Sequence, residues 1–188
     1  MQRPSRIHLS LFAAAVFLAG CGYNQIQTLD ERVNQAQGQI QTQLQRRADL
    51  IPNLVNTVKG VTKQEDTVFI SIANARARIG TAVKSGNVPE MAAANQQLST
   101  GLERLLAIAE NYPQLQSSQN FRQLQDQLEG TENRISVARQ DYNTAVGEYN
   151  AYIRRFPYNL TAKVFGMGKP REYFEAEAGA AQAPKVQF

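Results

Sequence analysis

Residues 121–156 read FRQLQDQLEGTENRISVARQDYNTAVGEYNAYIRRF, and the spacing of their apolar side chains decides the fold class. The steps between apolar positions alternate between three and four residues, which is the heptad pattern of helices that pack side by side. The eleven stripe positions are Phe121, Leu124, Leu128, Thr131, Ile135, Ala138, Tyr142, Ala145, Tyr149, Tyr152 and Phe156. We therefore predict a last long helix over residues 119–156, roughly 57 Å long at 1.5 Å per residue.

A second apolar stripe precedes it near the amino terminus. It runs at helical spacing from Ile26 to Val58 and predicts a long first helix. Every odd position from Gln35 to Gln45 is glutamine, which also fits a strand, but glutamine is a good helix former and β-branched residues are scarce. Pro52 lacks a backbone donor, so we expect it to kink the helix or to begin a new segment.

Shorter helices are predicted between the two long ones, over residues 62–84 and 89–111, with a short amphipathic piece at 159–165. The fold prediction is all-α: an elongated antiparallel helical bundle with coiled-coil-like first and last helices. The bundle is assigned to residues 21–165. Residues 166–188 form an irregular tail that we expect to dock on the bundle. The apolar residues available for docking are Tyr173, Phe174, Val186 and Phe188.

The amino terminus has the order of a secretory signal peptide. Two arginines precede an apolar run from Leu9 to Gly20, which is shorter than the roughly 20 residues that cross a bilayer core. Residues 18–21, LAGC, resemble a bacterial lipobox, in which the cysteine is acylated and the preceding segment is removed. We therefore predict a signal peptide over residues 1–20 and a lipid anchor at Cys21. A retained membrane helix is the alternative. Glycine rather than aspartate at position 22 favours the outer membrane, if the cell has two membranes.

The composition of the processed chain excludes several chemistries. Cleavage removes His8, the only histidine, and two of the 20 basic residues, which leaves 18 basic against 16 acidic residues. The only thiol, on Cys21, is then blocked by lipid. Histidine bases, Ser-His or Cys-His pairs, His/Cys zinc sites and intrachain disulfides are excluded. We predict no catalytic residue, cofactor or metal, and the residual charge of +2 does not favour nucleic acid as a partner.

Three stretches carry a family resemblance through their order and spacing. The first is QLQRRADLIPNLVNTVKG at 43–60, and the second is GTENRI at 130–135 with Ala138-Arg139 and Tyr142-Asn143. The third is Tyr173-Phe174 with APKV at 183–186 and Phe188. Together they resemble the LemA family of bacterial envelope proteins over nearly all of the chain after Cys21. The resemblance implies a bundle of long antiparallel helices, membrane-anchored and outside the cytoplasm. Many members keep an amino-terminal transmembrane helix, whereas this chain resembles a lipoprotein.

The polar residues of these motifs are the candidate site residues. They could meet between helices as a buried network that fixes helix register, or they could bind a partner. Glu129 and Glu132 lie three apart, as a glycosidase pair could, but such pairs are common among 16 acidic residues, and we predict no enzyme. The motif residues are Arg46, Arg47, Asp49, Pro52, Asn53, Glu132, Asn133, Arg134 and Arg139.

We predict a lipid-anchored adaptor or scaffold of the bacterial cell envelope, because the chain combines an anchor and a helical bundle with no candidate catalytic residues. Its expected partners are the membrane, through Cys21, and another envelope protein. The alternative is direct binding to membrane lipid or peptidoglycan, with shaping of the membrane. A homo-oligomer also remains open, because an exposed heptad face serves a dimer as well as a bundle.

Overall fold

Six α-helices make up the computed structural model, which describes residues 6–61 and 66–175 and, within them, the side chains from Gly22 onward. The helices are α1 (Arg6–Lys59), α2 (Asp66–Ser85), α3 (Val88–Ala109), α4 (Pro113–Gln116), α5 (Gln119–Arg154) and α6 (Tyr158–Val164). No β-strand occurs in the described ranges, and the all-α prediction is confirmed. Within this part of the chain, no helix is both long enough and apolar enough to cross a membrane.

The chain divides into two compact units. The first unit comprises Met1–Gln37 and Asp141–Glu172, and the second comprises Gly38–Gln140 and Tyr173–Phe188. Helices α1 and α5 contribute residues to both units, whereas α2, α3 and α4 belong to the second and α6 belongs to the first. Each unit has its own buried apolar core.

In the second unit, neighbouring helices run in opposite directions. Gln41 Nε2 donates to the Val83 carbonyl oxygen at 3.3 Å and Arg76 Nε to the Ala48 carbonyl oxygen at 2.8 Å, so α1 and α2 are antiparallel. The turn from α2 to α3 contains Gly86 at φ +68°, a backbone conformation that favours glycine. The core is formed by Ile40, Leu44, Ile51, Leu54, Val58, Phe69, Ile72, Ile79, Met91, Leu98, Leu105, Phe121, Leu128 and Ile135.

Pro52 lies inside α1, and the helix continues past it to Lys59. Of the two alternatives predicted at this proline, a kink or a new segment, the new segment is therefore wrong. Proline has no N–H, so the carbonyl oxygen four residues earlier, on Ala48, loses its usual helical donor. Arg76 of α2 donates from Nε to this oxygen at 2.8 Å. The carbonyl that Pro52 cannot satisfy is thus satisfied by the neighbouring helix.

The remaining helices agree with the sequence to within a few residues. The turn predicted at residues 85–87 separates α2 from α3, and the Asn87 side chain caps α3 by accepting from the Glu90 backbone N–H at 3.1 Å. Pro89 lies in the first turn of α3, as expected of a residue without a donor. The four-residue helix α4 was not predicted, because a single turn leaves no periodicity to detect.

The first unit pairs the amino-terminal part of α1 with α5 and α6. Gly22 lies against the ring of Tyr158, and Arg32 forms an ion pair with Glu148 at 3.5 Å. Rising residue numbers in α1 therefore meet falling numbers in α5 and α6, as in an antiparallel arrangement. The buried side chains of this unit include Ile26, Leu29, Val33, Tyr142, Val146, Tyr149, Ile153, Thr161 and Ala162.

The heptad stripe of α5 drifts toward its carboxyl end. Val146 and Ile153 are buried, whereas the predicted stripe positions Ala145 and Tyr152 are only half-buried. A straight helix of 3.6 residues per turn drifts in this direction against a repeat of 3.5. Phe156 is 80% exposed, because α5 ends at Arg154, so its assignment to the buried stripe is wrong.

Candidate functional site

The second unit contains a cleft of about 500 Å³ between α1, α3 and α5. Four leucines supply most of its apolar wall. One arginine and three glutamates contribute a formal charge of −2. The residues that line the cleft are Arg47, Leu54, Gln96, Ser99, Leu102, Glu103, Leu106, Gln125, Leu128, Glu129 and Glu132.

Arg47 is the polar centre of the cleft, and its side chain is only 5% exposed. Its Nη1 donates to Asn95 Oδ1 at 2.6 Å and to Ser99 Oγ at 3.1 Å. The same nitrogen forms an ion pair with Oε2 of Glu132, whose side chain is 46% exposed. Three helices therefore meet at one guanidinium, with α1 providing the cation, α3 two neutral acceptors and α5 the counter-ion.

The electrostatics of this cluster follow from burial. Desolvation lowers the pKa of the Arg47 guanidinium below its ordinary value, and the carboxylates of Glu132 and then Glu103 oppose that shift. Arginine side chains in proteins keep their positive charge, so the guanidinium is treated as a cation. The cluster is thus a buried cation whose nearest carboxylate, that of Glu132, is partly exposed to solvent.

The chemistry of the cleft favours a ligand that is both apolar and basic. Leu54, Leu102, Leu106 and Leu128 offer apolar contact. Because Arg47 and Glu132 form an ion pair and neutralise each other, the net charge of −2 lies on the exposed carboxylates of Glu103 and Glu129, which attract positive charge. A segment carrying leucine-like and lysine-like side chains complements this lining.

The structure brings together two of the predicted site residues, Arg47 and Glu132, and places the others elsewhere. Five are exposed, because on α1 and α5 they occupy positions that point away from the buried stripe. For these five the buried-network alternative is wrong, and partner binding stays a prediction. Pro52 and Arg139 are half-buried. The exposed five are Arg46, Asp49, Asn53, Asn133 and Arg134.

Two partners of Arg47 were not identified from the sequence. Asn95 is 8% exposed and Ser99 is half-buried on α3, one turn apart and thus on the same helix face. Their spacing of four residues next to the apolar stripe position Leu98 was the available signal. Nothing in the sequence linked them to an arginine 48 residues earlier.

A second polar cluster, in the first unit, was also missed. Tyr142 and Tyr149 on α5 donate from their hydroxyls to the carbonyl oxygens of residues 172 and 167, each at 2.9 Å. Asn150 donates to the Arg171 carbonyl oxygen at 2.9 Å and accepts from its backbone N–H at 2.8 Å. The Arg171 guanidinium forms an ion pair with Asp30 of α1 at 2.7 Å. The segment after α6 is thus fastened to both helices.

The same tyrosines were predicted as core aromatics from their heptad spacing, and both are indeed 2% exposed. Burial raises the pKa of both hydroxyls, most strongly through desolvation. The heptad pattern marks where a ring is buried, but it carries no information about what the hydroxyl at its tip contacts.

Several predicted residues lie outside the described part of the chain. These are most of the tail, including Val186 and Phe188, and the side chains of residues 1–21, including Cys21. Of the two tail aromatics that are described, Phe174 is buried, at 3% exposed, but Tyr173 is 41% exposed. Neighbouring side chains of an extended segment point to opposite sides, which accounts for the difference between these two residues. Docking of the tail as a whole, residues 166–188, stays a prediction.

Comparison with known proteins agrees with the motifs. The LemA family model matches residues 36–188. The chain is similar to the magnetosome proteins MamQ 1 and MamQ 2 of Paramagnetospirillum magneticum, each 27% identical over 203 aligned positions that cover 95% of this chain and 74% of the relative. It is also similar to the magnetosome protein MamQ of Magnetospirillum gryphiswaldense, at 25% identity over 180 positions, 84% of this chain and 66% of the relative. Because the family model covers well over half of its length, this chain belongs to the LemA family.

Proposed function

We propose that this protein is a lipid-anchored helical adaptor of the bacterial cell envelope, which binds a partner protein through the cleft of its second unit and has no catalytic activity of its own. Membership of the LemA family and similarity to the MamQ magnetosome proteins support a membrane-associated envelope protein. The anchor, the adaptor role and the chemistry of the partner are our proposals.

The anchor is proposed at Cys21, with residues 1–20 removed. The support is the LAGC sequence at 18–21 behind a short apolar run and two arginines. Two or more acyl chains make membrane attachment stable, so a triacylated cysteine would hold the domain permanently at a membrane surface. If the cell has two membranes, Gly22 in place of aspartate supports the outer membrane as that surface. Mass spectrometry of the amino-terminal peptide tests the anchor: an unmodified Cys21, or one still joined to Gly20, would overturn it.

The adaptor role rests on one observation above all: the cleft combines four leucines and three carboxylates around a buried, paired arginine. Leucine side chains provide an apolar contact for a partner, and acidic groups at the rim select a basic one and reject an acidic one. We therefore propose that the partner presents an apolar segment carrying lysine or arginine. An amphipathic helix laid into the groove between α3 and α5 is the form that such recognition takes in other helical proteins.

In-cell chemical cross-linking followed by purification tests this role. We expect a discrete partner to be recovered with the parent chain and to be lost from a Glu103→Lys/Glu129→Lys variant, which reverses two carboxylates of the cleft lining. The matched control is Glu110→Lys/Asp126→Lys, which reverses two exposed carboxylates outside that lining. Recovery of only the free monomer under every growth condition would contradict the proposal, and so would equal loss in both variants.

A further inference from the structure

We propose that α6 and the residues on either side of it rest on the membrane surface. We call this set the α6 patch. Its apolar members are Phe156, Leu160, Val164 and Phe165, and its basic members are Arg154, Arg155, Lys163 and Lys169. In this inference the apolar side chains enter the boundary between headgroups and acyl chains, and the basic side chains bind anionic headgroups. It relies on the proposed function only for attachment of the chain to a membrane just before Gly22, through an acylated Cys21 or through a retained membrane helix.

The apolar members are exposed to a degree that is unusual for large apolar side chains. Phe156 and Val164 are 80% and 79% exposed, and Leu160 and Phe165 are 54% and 53% exposed. Among the described residues, seven large apolar side chains are exposed, and these four lie within ten residues of one another. Leu160 and Val164 are also four residues apart, which places them on the same face of α6. Apolar side chains concentrated in this way mark an interaction surface.

The charges of the α6 patch have a single sign. From Tyr149 to Pro170 the sequence contains four basic residues and no acidic residue. The ion pairs formed among the described residues of the first unit use Arg32, Glu148, Arg171 and Asp30, and none of them uses a basic member of the patch. Basic side chains interleaved with exposed apolar ones are the composition of segments that bind anionic membrane surfaces.

The position of the α6 patch explains how it reaches a membrane. Gly22 follows directly after the proposed anchor residue, and a Cβ atom added there would lie 2.5 Å from Cδ1 of Tyr158, the first residue of α6. The next residue, Tyr23, packs its ring on Phe165 with the ring centroids 4.6 Å apart. Both ends of α6 therefore lie beside the residues that emerge from the membrane, whether the chain begins with an acylated Cys21 or with a retained membrane helix.

A bilayer is a better occupant than another protein for this surface. A second copy of the chain would bring an identical set of positive charges to the contact, which opposes association through the same patch. Anionic headgroups instead attract all four basic residues, and each basic residue near such a surface strengthens binding about fivefold. The anchor keeps the patch within reach of the bilayer at all times, so no diffusional encounter is needed.

Tryptophan fluorescence in reconstituted vesicles tests this inference. The sequence contains no tryptophan, so a single introduced indole is the only one that emits. The full chain is purified from membranes with its native amino terminus as Val164→Trp, and as Gln35→Trp for control. Gln35 is exposed in the same unit, about 20 Å along α1 from Gly22 at 1.5 Å per residue. Both are reconstituted in phosphatidylethanolamine–phosphatidylglycerol vesicles, with and without acyl-brominated lipid.

We expect the emission of Val164→Trp to shift to shorter wavelength in vesicles and to lose intensity with brominated lipid, while Gln35→Trp changes little. Adding Leu160→Asp should remove the quenching without changing the far-UV circular dichroism, because Leu160 is more than half exposed. Replacing phosphatidylglycerol by phosphatidylcholine should reduce the quenching.

The outcomes that would contradict the proposal distinguish membrane contact by the α6 patch from membrane attachment by the anchor. If the chain floats with the vesicles but Val164→Trp is quenched no more than the control, the patch is refuted while the anchor stands. If Val164→Trp is quenched although mass spectrometry finds Cys21 unmodified, acylation is refuted while the patch is supported. A chain that does not float at all contradicts both. A blue shift that depends on protein concentration without vesicles would assign the surface to a second copy and overturn the membrane proposal.

Discussion

The hydrogen bond from Arg76 to the Ala48 carbonyl oxygen should be needed only because residue 52 is proline. An interior proline costs an α-helix about 3 kcal/mol relative to alanine, partly through the lost hydrogen bond to the carbonyl four residues earlier. Arg76 Nε donates to that carbonyl oxygen at 2.8 Å. A hydrogen bond from a charged group contributes about 1.5–3 kcal/mol, and we take about 1–2 kcal/mol here because the guanidinium is otherwise exposed.

A double-mutant cycle measures this dependence. We expect Arg76→Met to lower the free energy of unfolding by about 1–2 kcal/mol in the parent chain. In a Pro52→Ala background the new N–H bonds the Ala48 carbonyl oxygen, so the same substitution should cost less than about 0.5 kcal/mol, as at an ordinary surface position. Pro52→Ala alone should stabilise the chain.

Urea denaturation followed by far-UV circular dichroism provides the free energies, with every variant in the same detergent. Arg104→Met, an exposed arginine on α3, is the control and should change stability by no more than about 0.5 kcal/mol in either background. Equal costs of Arg76→Met with and without Pro52 would refute the reasoning, because they would show that the arginine does not substitute for the missing helical donor.

Two further perturbations probe the polar clusters. Breaking a fully buried ion pair lowers the free energy of unfolding by about 3–5 kcal/mol, and since Glu132 is half-exposed, Glu132→Ala should lower it by about 2 kcal/mol. Adding Arg47→Met should recover part of this loss, because the unpaired cation is then removed. The control Glu129→Ala should have little effect on stability. If the double variant is less stable than Glu132→Ala in urea denaturation, the interpretation that Glu132→Ala leaves the Arg47 guanidinium buried and unpaired is contradicted. Burial raises the pKa values of the Tyr142 and Tyr149 hydroxyls above the ordinary 10.0, so the unfolded chain loses these protons at lower pH than the folded chain does. The stability that the protonated hydroxyls contribute below pH 10 should therefore be lost as the pH rises through the folded-state pKa. Urea denaturation at increasing alkaline pH should therefore show a steeper fall in the free energy of unfolding with pH for the parent than for Tyr142→Phe/Tyr149→Phe. The same dependence on pH in both chains would contradict this prediction.

The helices could be predicted because their determinants are local. Apolar spacing located α2, α3 and α5, and the turn residues at 85–87 and Pro89 fixed the start of α3 to within one residue. The helix predicted over the alternating glutamines from Gln35 to Gln45 is confirmed, because helix propensity and the flanking apolar spacing agree there. The wrong assignment of Phe156 to the buried stripe also has a physical cause, because the repeat of 3.5 residues is extended past Arg154, where the helix ends.

The candidate site was predicted only in part, because its contacts are between distant segments. Arg47 and Glu132 were singled out by their motifs, but their neighbours Asn95 and Ser99 come from a helix that none of the motifs includes. The donor that bonds the Ala48 carbonyl oxygen, which Pro52 leaves without its helical N–H, likewise comes from another helix, α2. A sequence pattern identifies which face of a helix is buried, but it does not specify which side chain of another helix will meet it.

Site-specific photo-cross-linking from the cleft, in cells at native abundance, tests the adaptor role most directly. A photoreactive residue replaces Gln125, which lines the cleft, or Gln127, an exposed glutamine two positions further on α5 that does not line it. The adaptor proposal predicts a discrete adduct with another envelope protein from position 125, its absence from position 127, and its loss when Glu103 and Glu129 are changed to lysine. The same adducts from both positions, or none from position 125, would contradict it.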